Sequence, residues 1–368
     1  MRGCRVFPIQ NNKVLLMSFC GKGYGGNCKA ITEALLVNRP DLDIVWAVNP
    51  EFIKTLPNGV RHVKYNSLRY LYELATAKVW VDDYRKSRAI IKRKGQFYIQ
   101  TWHGGIGPKK IEKEAASQLN EDYVRRAVHD SKMIDLMIAE SEWTYDLYKR
   151  AFWYNGEIAK CGVPREDILF NNHDELNRSL KKQLNIADDI RAVLYAPTFR
   201  KTINDISLYE LDWSNILLSL HNRFGGKWIG FVRLHPNIAQ MSGDLHHPDN
   251  VFDVSAYPDM QELLVLADCM ITDYSSAIYE YGITKKPAFI YAPDFSDYVQ
   301  ERSLAINYNE LPFPLAYTTD ELVNQILKFD ESLYLTKIDS FYSDYLNMYD
   351  GGHASIYLAD RILKEMKK

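Results

Sequence analysis

The sequence predicts an α/β protein with two consecutive Rossmann-like halves facing a central cleft. Short apolar runs alternate with longer segments of helical period, which is typical of a parallel sheet covered by helices. The chain has 368 residues, a length that suits two domains, and the polar stretch 171–189 separates two such series. We therefore expect domains over residues 1–175 and 176–350. We expect a final helix over 351–368 to pack back across the domain interface.

The first half alternates predicted strands with predicted helices. The strands are Lys13–Phe19, Ile44–Val48, Lys78–Val81 and Phe97–Thr101, with a further apolar run at Met133–Ala139. The helices are Lys29–Val37, Arg69–Ala77 and Arg85–Lys92.

The second half repeats this alternation. Its predicted strands are Ala192–Ala196, Trp228–Leu234, Val251–Asp253, Cys269–Thr272 and Ala288–Tyr291. Its predicted helices are Trp213–Asn222, Pro258–Ala267 and Ser275–Thr284, followed by the final helix from Gly352 to Lys368.

Composition excludes several classes of protein. Lys and Arg number 45 and Asp and Glu number 47, a net charge of −2 that gives no case for nucleic-acid binding. The five cysteines lack CxxC spacing, so a disulfide framework or zinc site is not expected and a reducing compartment fits better. No apolar stretch approaches the roughly 18 residues that span a bilayer. We expect a soluble protein, or one that sits on a membrane surface.

A histidine turn follows the strand that ends at Thr101. In the segment Gln100–Gly105, His103 precedes Gly104 and Gly105, so a substrate can approach the turn closely. The functional interpretation is a general base or phosphate ligand. The alternative is a histidine that only hydrogen-bonds the turn.

Three segments at strand ends of the second half could bind phosphate. Arg233–Asn237 offers Arg233 and His235, which suit a diphosphate. Thr272–Ser276 places Ser275 and Ser276 where a helix begins, a position where serines also serve as plain caps. Ala196–Arg200 brings Arg200 to a strand end. For Arg233–Asn237 the alternative is a structural strand end, and for Arg200 it is a surface arginine without a ligand.

Two weaker features lie near the start of the chain. The glycine-rich turn Gly21–Gly26 lacks the glycine order of a nucleotide fingerprint, and we interpret it as a flexible loop beside the acceptor path. Asp41–Asp43 has the DxD form of a metal site but precedes a strand, so a solvated turn is the better interpretation. The sequence shows no metal-ligand cluster, and dependence on a divalent cation such as Mg²⁺ stays open.

Short segments that match those of a known protein family occur in the same order along nearly the whole chain. They are Ser18–Tyr24, Gln100–Gly104, Ala151–Phe152, Cys161–Asp167, Ala196–Arg200, Arg233–Pro236, Thr272–Ser276, Lys286–Pro287 and Asp350–Gly351. In these segments the chain resembles the CDP-glycerol glycerophosphotransferase family, teichoic-acid and capsule polymerases with a GT-B-like fold.

The resemblance implies roles for the candidate residues. It implies catalytic or phosphate-binding roles for His103 and His235, with His103 as the base. Donor phosphates would be bound by Arg200, Arg233, Thr272, Asp273, Ser275 and Ser276. The acceptor side would comprise Gly104, Gly105, Gly21 and Tyr24. The expected reaction is attack of an acceptor hydroxyl on the β-phosphorus of a CDP-polyol, with CMP leaving.

The resemblance also implies partners and a location. They are a CDP-polyol donor, a lipid-linked or polymeric glycan acceptor, and the inner face of the bacterial cell membrane. Segment Lys109–Arg126 is basic in places, and a stripe from Trp143 to Phe152 has helical spacing. We expect this stripe to face the core rather than a membrane. Oligomeric state is not assigned.

Departures from the family pattern leave the polyol and acceptor open. Family members often carry WHGT followed by Leu-Lys-Lys, whereas this chain has Gly105 and then Ile106–Lys110. The family's PRND is Pro164–Asp167 here. The nearest rival is a GT-B glycosyltransferase using a nucleotide sugar, with Glu280 as the carboxylate that contacts the sugar. A non-catalytic polysaccharide-binding subunit would not need two histidines and several phosphate ligands at strand ends.

Overall fold

The structure is a computed structural model that describes residues 2–107, 110–171, 174–200, 206–235, 238, 245, 247–301, 306–349 and 351–368. Four residues singled out in the sequence lie outside these ranges: Lys109, Pro236, Asn237 and Asp350. Contacts divide the chain into two units. The first is Met1–Gly105, Ile111–Asp167 and Leu346–Lys368, and the second is Ile106–Lys110 and Ile168–Tyr345.

Strands and helices alternate along the described chain. The strands are β1 Gln10–Met17, β2 Asp43–Val48, β3 Val60–Lys64, β4 Ala77–Asp82, β5 Phe97–Gln100, β6 Leu136–Ala139, β7 Glu157–Lys160, β8 Ile190–Tyr195, β9 Lys227–Val232, β10 Val251–Asp253, β11 Cys269–Thr272, β12 Ala288–Tyr291 and β13 Leu315–Ala316. The helices are α1 Gly26–Asn38, α2 Leu68–Thr76, α3 Glu121–Ser131, α4 Glu142–Ala151, α5 Asp167–Phe170, α6 Asp174–Gln183, α7 Trp213–Phe224, α8 Met260–Leu266, α9 Ala277–Ile283, α10 Phe295–Glu301, α11 Thr319–Leu327, α12 Glu331–Ser340 and α13 Ala354–Met366.

Each unit contains one parallel sheet with the Rossmann strand order. The first sheet runs β3-β2-β1-β4-β5-β6-β7 and the second runs β10-β9-β8-β11-β12-β13. In both sheets the order reverses beside the first strand of the unit, between β1 and β4 and between β8 and β11. Ligands of open α/β sheets bind at this switch point, outside the carboxyl ends of the strands. The predicted α/β class with two Rossmann-like sheets is confirmed.

The first sheet is buried on both faces. Leu15, Val45 and Trp80 on one face join a core cluster that includes residues of α2 and α4. Val14 and Ile44 on the other face join a cluster with α1 and α13. Burial on both sides explains why the central strands are continuous apolar runs without alternation. The stripe on α4 lies in the first cluster, as predicted.

The C-terminal helix belongs to the first unit. Leu358, Ala359 and Ile362 are fully buried in the cluster that contains α1. The carboxylate of Asp167 accepts hydrogen bonds from the backbone N–H groups of Ala354 (2.9 Å) and Ser355 (2.7 Å) at the start of this helix. A carboxylate at a helix N-terminus satisfies otherwise unpaired donors.

The helix predicted at Arg85–Lys92 is wrong, since this segment is irregular. Its side chains instead make ion pairs in the interior: Arg85 with Glu112 (2.6 Å) and Asp130 (3.2 Å), and Lys86 with Asp82 (2.6 Å). These buried pairs fix the backbone in an irregular path that helical spacing does not reveal. The short edge strands β3 and β7 were also not predicted, because they are half exposed and polar.

Candidate active site

The turn that carries His103 begins directly after β5. Trp102 has φ +56°, a conformation that bulky residues rarely adopt. The Trp102 N–H donates to Gln100 Oε1 at 2.9 Å, and the Thr101 N–H donates to the Asp82 carbonyl at 2.9 Å. The second of these bonds ties the turn to the end of β4, which borders the switch point between β1 and β4.

Hydrogen bonding defines the tautomer of His103. Its Nδ1 lies 2.7 Å from the carbonyl oxygen of Asp83. Because a carbonyl oxygen only accepts, Nδ1 carries the proton. Nε2 therefore carries the lone pair, which is the arrangement that a general base requires.

The surroundings of His103 favour the neutral ring. The ring stacks on Tyr84, with centroids 4.3 Å apart, and lies 4.2 Å from the Trp102 ring. Burial lowers the pKa of His103 to about 4, and the positive charges of Arg165 and Arg85 act in the same direction. The imidazole is uncharged at neutral pH and can accept a proton.

Two residues not predicted from the sequence hold the turn in place. Arg165 Nη1 donates to the His103 carbonyl at 2.9 Å. Asn27 Nδ2 donates to the Trp102 carbonyl at 3.1 Å, and Asn27 Oδ1 accepts from the Arg165 N–H at 3.2 Å. Arg165 belongs to one of the matching segments, Cys161–Asp167, whereas Asn27 carries no local signal.

Gly104 and Gly105 differ sharply in their surroundings. The Gly104 carbonyl accepts from the Tyr148 hydroxyl at 2.9 Å, and a Cβ at Gly104 would meet nothing within 4 Å. A Cβ at Gly105 would lie 1.8 Å from Oε1 of Glu140, which is buried at the end of β6. A side chain at position 105 would therefore require the Glu140 carboxylate or the turn to move.

Asp83 is a further residue of the site that was not predicted from the sequence. Its carboxylate accepts the Phe19 N–H at 2.9 Å at the start of the glycine-rich turn. Burial, together with the nearby Asp82 carboxylate, raises the pKa of Asp83 to about 7. Asp83 thus links the carboxyl ends of β1 and β4 while its carbonyl orients His103.

Gly21 and Tyr24 pack closely against neighbouring residues in the glycine-rich turn. Gly21 has φ +81°, and a Cβ there would lie 2.8 Å from Tyr65 Cβ. The Tyr24 ring lies 4.7 Å from the Trp46 ring, and its hydroxyl is buried without a hydrogen-bond partner among the described residues. A role for either residue on the acceptor side stays a prediction.

In the second unit, Arg200 lies in a buried ionic cluster at the switch point of the sheet. Its Nη2 donates to Asp273 Oδ2 at 2.7 Å, and its Nε donates to Asp294 Oδ2 at 2.7 Å. The guanidinium also lies over the Tyr274 and Tyr298 rings. Two carboxylates outweigh one guanidinium, so a direct contact from Arg200 to phosphate stays a prediction.

The Thr272–Ser276 segment is held by its first three residues, of which Tyr274 is buried and donates its hydroxyl to Asp294 Oδ1 at 3.0 Å. Thr272 Oγ1 donates to the Ala196 carbonyl at 2.7 Å, and Asp273 accepts the Thr198 N–H at 2.9 Å. Ser275 Oγ accepts the Ala277 N–H at 3.3 Å, and Ser276, half-buried, precedes α9. The segments after β8 and β11 are therefore joined by hydrogen bonds.

Arg233 and His235 follow β9. Arg233 is half-buried, and its Nη1 donates to the Tyr257 carbonyl at 2.8 Å. Burial lowers the pKa of Arg233, which still leaves it charged at neutral pH. His235 is exposed, with its ring 5.8 Å from that of Phe199. These two residues offer cationic and hydrogen-bonding groups at the end of a strand next to β8.

Few structural features favour the two alternatives, a GT-B glycosyltransferase with Glu280 as its carboxylate and a metal site at Asp41–Asp43. Glu280 is buried and accepts from Gln261 Nε2 at 2.7 Å. Asp41 pairs with Arg39 on the surface at 2.7 Å. Within the described ranges, no group of three His, Cys, Asp or Glu side chains could hold a metal ion. None of the described helices is long and apolar enough to cross a membrane.

Two Rossmann-like sheets, with a neutral histidine hydrogen-bonded beside the switch point of the first and cations near that of the second, are those of a GT-B-like transferase. Residues 2–364 match the sequence profile of CDP-glycerol:poly(glycerophosphate) glycerophosphotransferases. The chain belongs to this family.

Relatives and a solved structure agree with this family. The chain is 30% identical to the teichoic acid poly(glycerol phosphate) polymerase of Staphylococcus epidermidis, over 98% of this chain and 52% of that protein. It is 28% identical to the protein of that name from Bacillus subtilis, over 97% of this chain and 49% of that protein. A histidine-to-alanine variant of the wall teichoic acid polymerase TagF superposes with a TM-score of 0.85 at 29% identity, covering 98% of this chain and 90% of that one. The chain thus spans about half the length of these two polymerases.

Proposed function

We propose that this protein transfers a polyol phosphate, with glycerol phosphate as the first candidate, from a CDP-polyol to a hydroxyl of a teichoic acid or capsular polysaccharide acceptor. The observation that carries the proposal is His103, whose Nδ1–H is committed to the Asp83 carbonyl so that Nε2 is left as a base. Family membership supplies the reaction class, and the relatives' names supply the acceptor class.

The proposed reaction is a displacement at phosphorus. The acceptor oxygen forms a bond to the β-phosphorus, the bond from that phosphorus to the bridging oxygen breaks, and CMP leaves. The proton of the hydroxyl passes to His103 Nε2. A positioned base of this kind typically contributes about 10²–10⁴-fold to the rate. An anionic phosphate beside the ring raises its pKa and strengthens the base.

The donor phosphates are assigned to the second unit. Arg233 and His235 provide the cationic and donor groups, and Ser275 and Ser276 provide hydroxyls after β11. Arg200 supports them indirectly, since its bonds to Asp273 and Asp294 fix the Thr272–Ser276 segment. Thr272 and Asp273 would contribute to donor binding by holding this segment in place, because their side chains are buried and already hydrogen-bonded.

The proposal also places the protein at the inner face of the bacterial cell membrane, where a lipid-linked acceptor is accessible. The support is family membership, because the resemblance implies a lipid-linked glycan acceptor.

CMP release from CDP-glycerol in the presence of a water-soluble acceptor tests the proposal. His103→Ala is expected to lower kcat by roughly 10²–10⁴-fold. His235→Ala is expected to lower kcat/KM for the donor. His62→Ala, at an exposed histidine of β3, is the matched control and is expected to retain activity. Retention of most activity by both His103→Ala and His235→Ala would contradict the proposed mechanism.

A further inference from the structure

The ring of His103 is held between two aromatic side chains. Tyr84 stacks on it with ring centroids 4.3 Å apart and an interplanar angle of 12°, and the Trp102 ring lies 4.2 Å away at 32°. Two rings this close and this nearly parallel to a third would overlap if they shared one face. They therefore cover opposite faces of the imidazole.

A single amide joins the two aromatic residues. Gln100 Oε1 accepts from the Trp102 N–H at 2.9 Å, and Gln100 Nε2 donates to the Tyr84 carbonyl at 3.1 Å. Because an N–H only donates and a carbonyl only accepts, these partners fix the orientation of the amide. Gln100 is fully buried, and its Nε2 also donates to the Tyr98 hydroxyl at 2.9 Å. We call Tyr84, Gln100 and Trp102 the histidine clamp.

Arg85 anchors the histidine clamp in the interior. Its guanidinium pairs with Glu112 at 2.6 Å and with Asp130 at 3.2 Å. It also lies over the Trp102 ring, 5.4 Å from the centroid. Separating a buried ion pair is strongly destabilising, so the backbone that follows Tyr84 is held firmly in place.

The histidine clamp leaves one edge of the imidazole open for reaction. Both faces are covered, and Nδ1 is committed to the Asp83 carbonyl at 2.7 Å. His103 is half-buried, so its exposed part lies on the remaining edge, which carries Nε2. A hydroxyl that reaches this edge approaches in the plane of the ring, along the direction of the lone pair.

We propose that Tyr84 and Gln100 are positioning residues for the base. Tyr84 covers one face of the imidazole opposite Trp102, and Gln100 sets the spacing of these two rings. Both residues act through His103 and not on the reacting atoms. The inference rests on the proposed function, in which His103 takes the proton of the acceptor hydroxyl.

The charge state of His103 reflects two opposing effects of the clamp. The pKa of His103 is lowered to about 4, first by burial and then by the charges of Arg165 and Arg85, although the bond to the Asp83 carbonyl raises it. Aromatic faces also attract a cation, which favours the imidazolium. Because the pKa is lowered, exclusion of water outweighs that attraction. The titratable and charged groups around the His103 turn include Asp83, Tyr84, Arg85, Tyr148 and Arg165.

Replacing Tyr84 tests the clamp through the pH dependence of kcat/KM for CMP release. Tyr84→Ala opens one face of the imidazole to water, so the pKa of His103 is expected to rise from about 4 toward its usual 6.5. Since the neutral ring is the base, the acid limb is expected to move to higher pH. Above about pH 8 the ring is neutral in either case. There kcat is expected to stay roughly 10-fold to 10²-fold low, because the ring is no longer oriented. Tyr84→Phe keeps the stacked ring and is expected to behave like the unaltered protein.

Nuclear magnetic resonance measures the same pKa without turnover. Protein labelled with ¹³C at histidine Cε1 is titrated, and the His103 signal is identified by its absence from His103→Ala. Gln100→Met removes both amide bonds at nearly constant volume and is expected to raise this pKa as Tyr84→Ala does. Thermal unfolding checks that each variant is folded.

Tyr72→Ala is the matched control. Tyr72 of α2 is half-buried and packs against the Phe7 ring, with centroids 5.2 Å apart. Its loss is expected to leave the pKa of His103 and the pH profile unchanged.

Three results would overturn the inference. They are a pKa of His103 that stays near 4 in both Tyr84→Ala and Gln100→Met, a pKa that falls in these variants, and an equal rise in Tyr72→Ala. Absence of CMP release from the unaltered protein would refute the proposed function alone, because the titration of His103 tests the clamp without any turnover.

Discussion

The strongest steric demand in the candidate site is at Gly105, two residues after the proposed base. A Cβ there would lie 1.8 Å from Oε1, 2.4 Å from Cδ and 2.7 Å from Oε2 of Glu140. Glu140 is buried, and its Oε1 accepts from Thr144 Oγ1 at 3.0 Å. In Gly105→Ala either the carboxylate or the turn must move. Overpacking of this kind costs roughly 1–3 kcal/mol.

Thermal unfolding and CMP release measure the two consequences of Gly105→Ala. The Tm is expected to fall by roughly 2–4 °C per kcal/mol lost, and kcat to fall because the His103 turn is displaced. Gly104→Ala is the matched control, since a Cβ there meets nothing within 4 Å.

A double variant decides whether Glu140 is the cause. Glu140→Ala removes the obstructing carboxylate, so Gly105→Ala is expected to cost much less in that background than in the unaltered protein. The coupling is expected to reach roughly 0.5–3 kcal/mol. Equal Tm values for Gly105→Ala and Gly104→Ala, or additive effects in the double variant, would refute the reasoning.

Three further predictions follow from the contacts described. The acid limb of kcat/KM is expected near pH 4, because the neutral form of His103 is the base and its pKa is lowered to about 4; a limb near 6.5 would contradict this. Asp167→Ala removes the cap of α13 and is expected to cost roughly 0.5–2 kcal/mol in thermal unfolding, whereas an unchanged Tm would count against the cap. Arg200→Met leaves Asp273 and Asp294 buried without their counter-charge and is expected to cost roughly 3–5 kcal/mol in unfolding; an unaltered Tm would show that the cluster is not an ion-pair core.

The fold class followed from the sequence because buried parallel strands are short apolar runs and their order along the chain is regular. Val14–Met17 and Cys269–Thr272 show this pattern directly. The Arg85–Lys92 segment misled because its basic residues have helical spacing. Their ion-pair partners, Glu112 and Asp130, lie far along the chain and give no local signal.

The residues of the candidate site that follow strands were predictable from the sequence. The residues that hold them in place were not. His103 and Arg200 were singled out because each follows a strand. Asp83 orients His103 through a backbone carbonyl, and Asp294 pairs with Arg200 across 94 residues. Neither contact is encoded by residue type or spacing, so only the folded chain reveals them.

The product of one turnover tests the central claim most directly. Purified protein is incubated with CDP-glycerol, CDP-ribitol or nucleotide sugars, with and without a soluble acceptor, and the nucleotide and new linkage are identified by chromatography and phosphorus NMR. We expect acceptor-dependent CMP release with formation of a phosphodiester, abolished in His103→Ala. Release of a nucleoside diphosphate from a nucleotide sugar, without CMP from either CDP-polyol, would contradict the account.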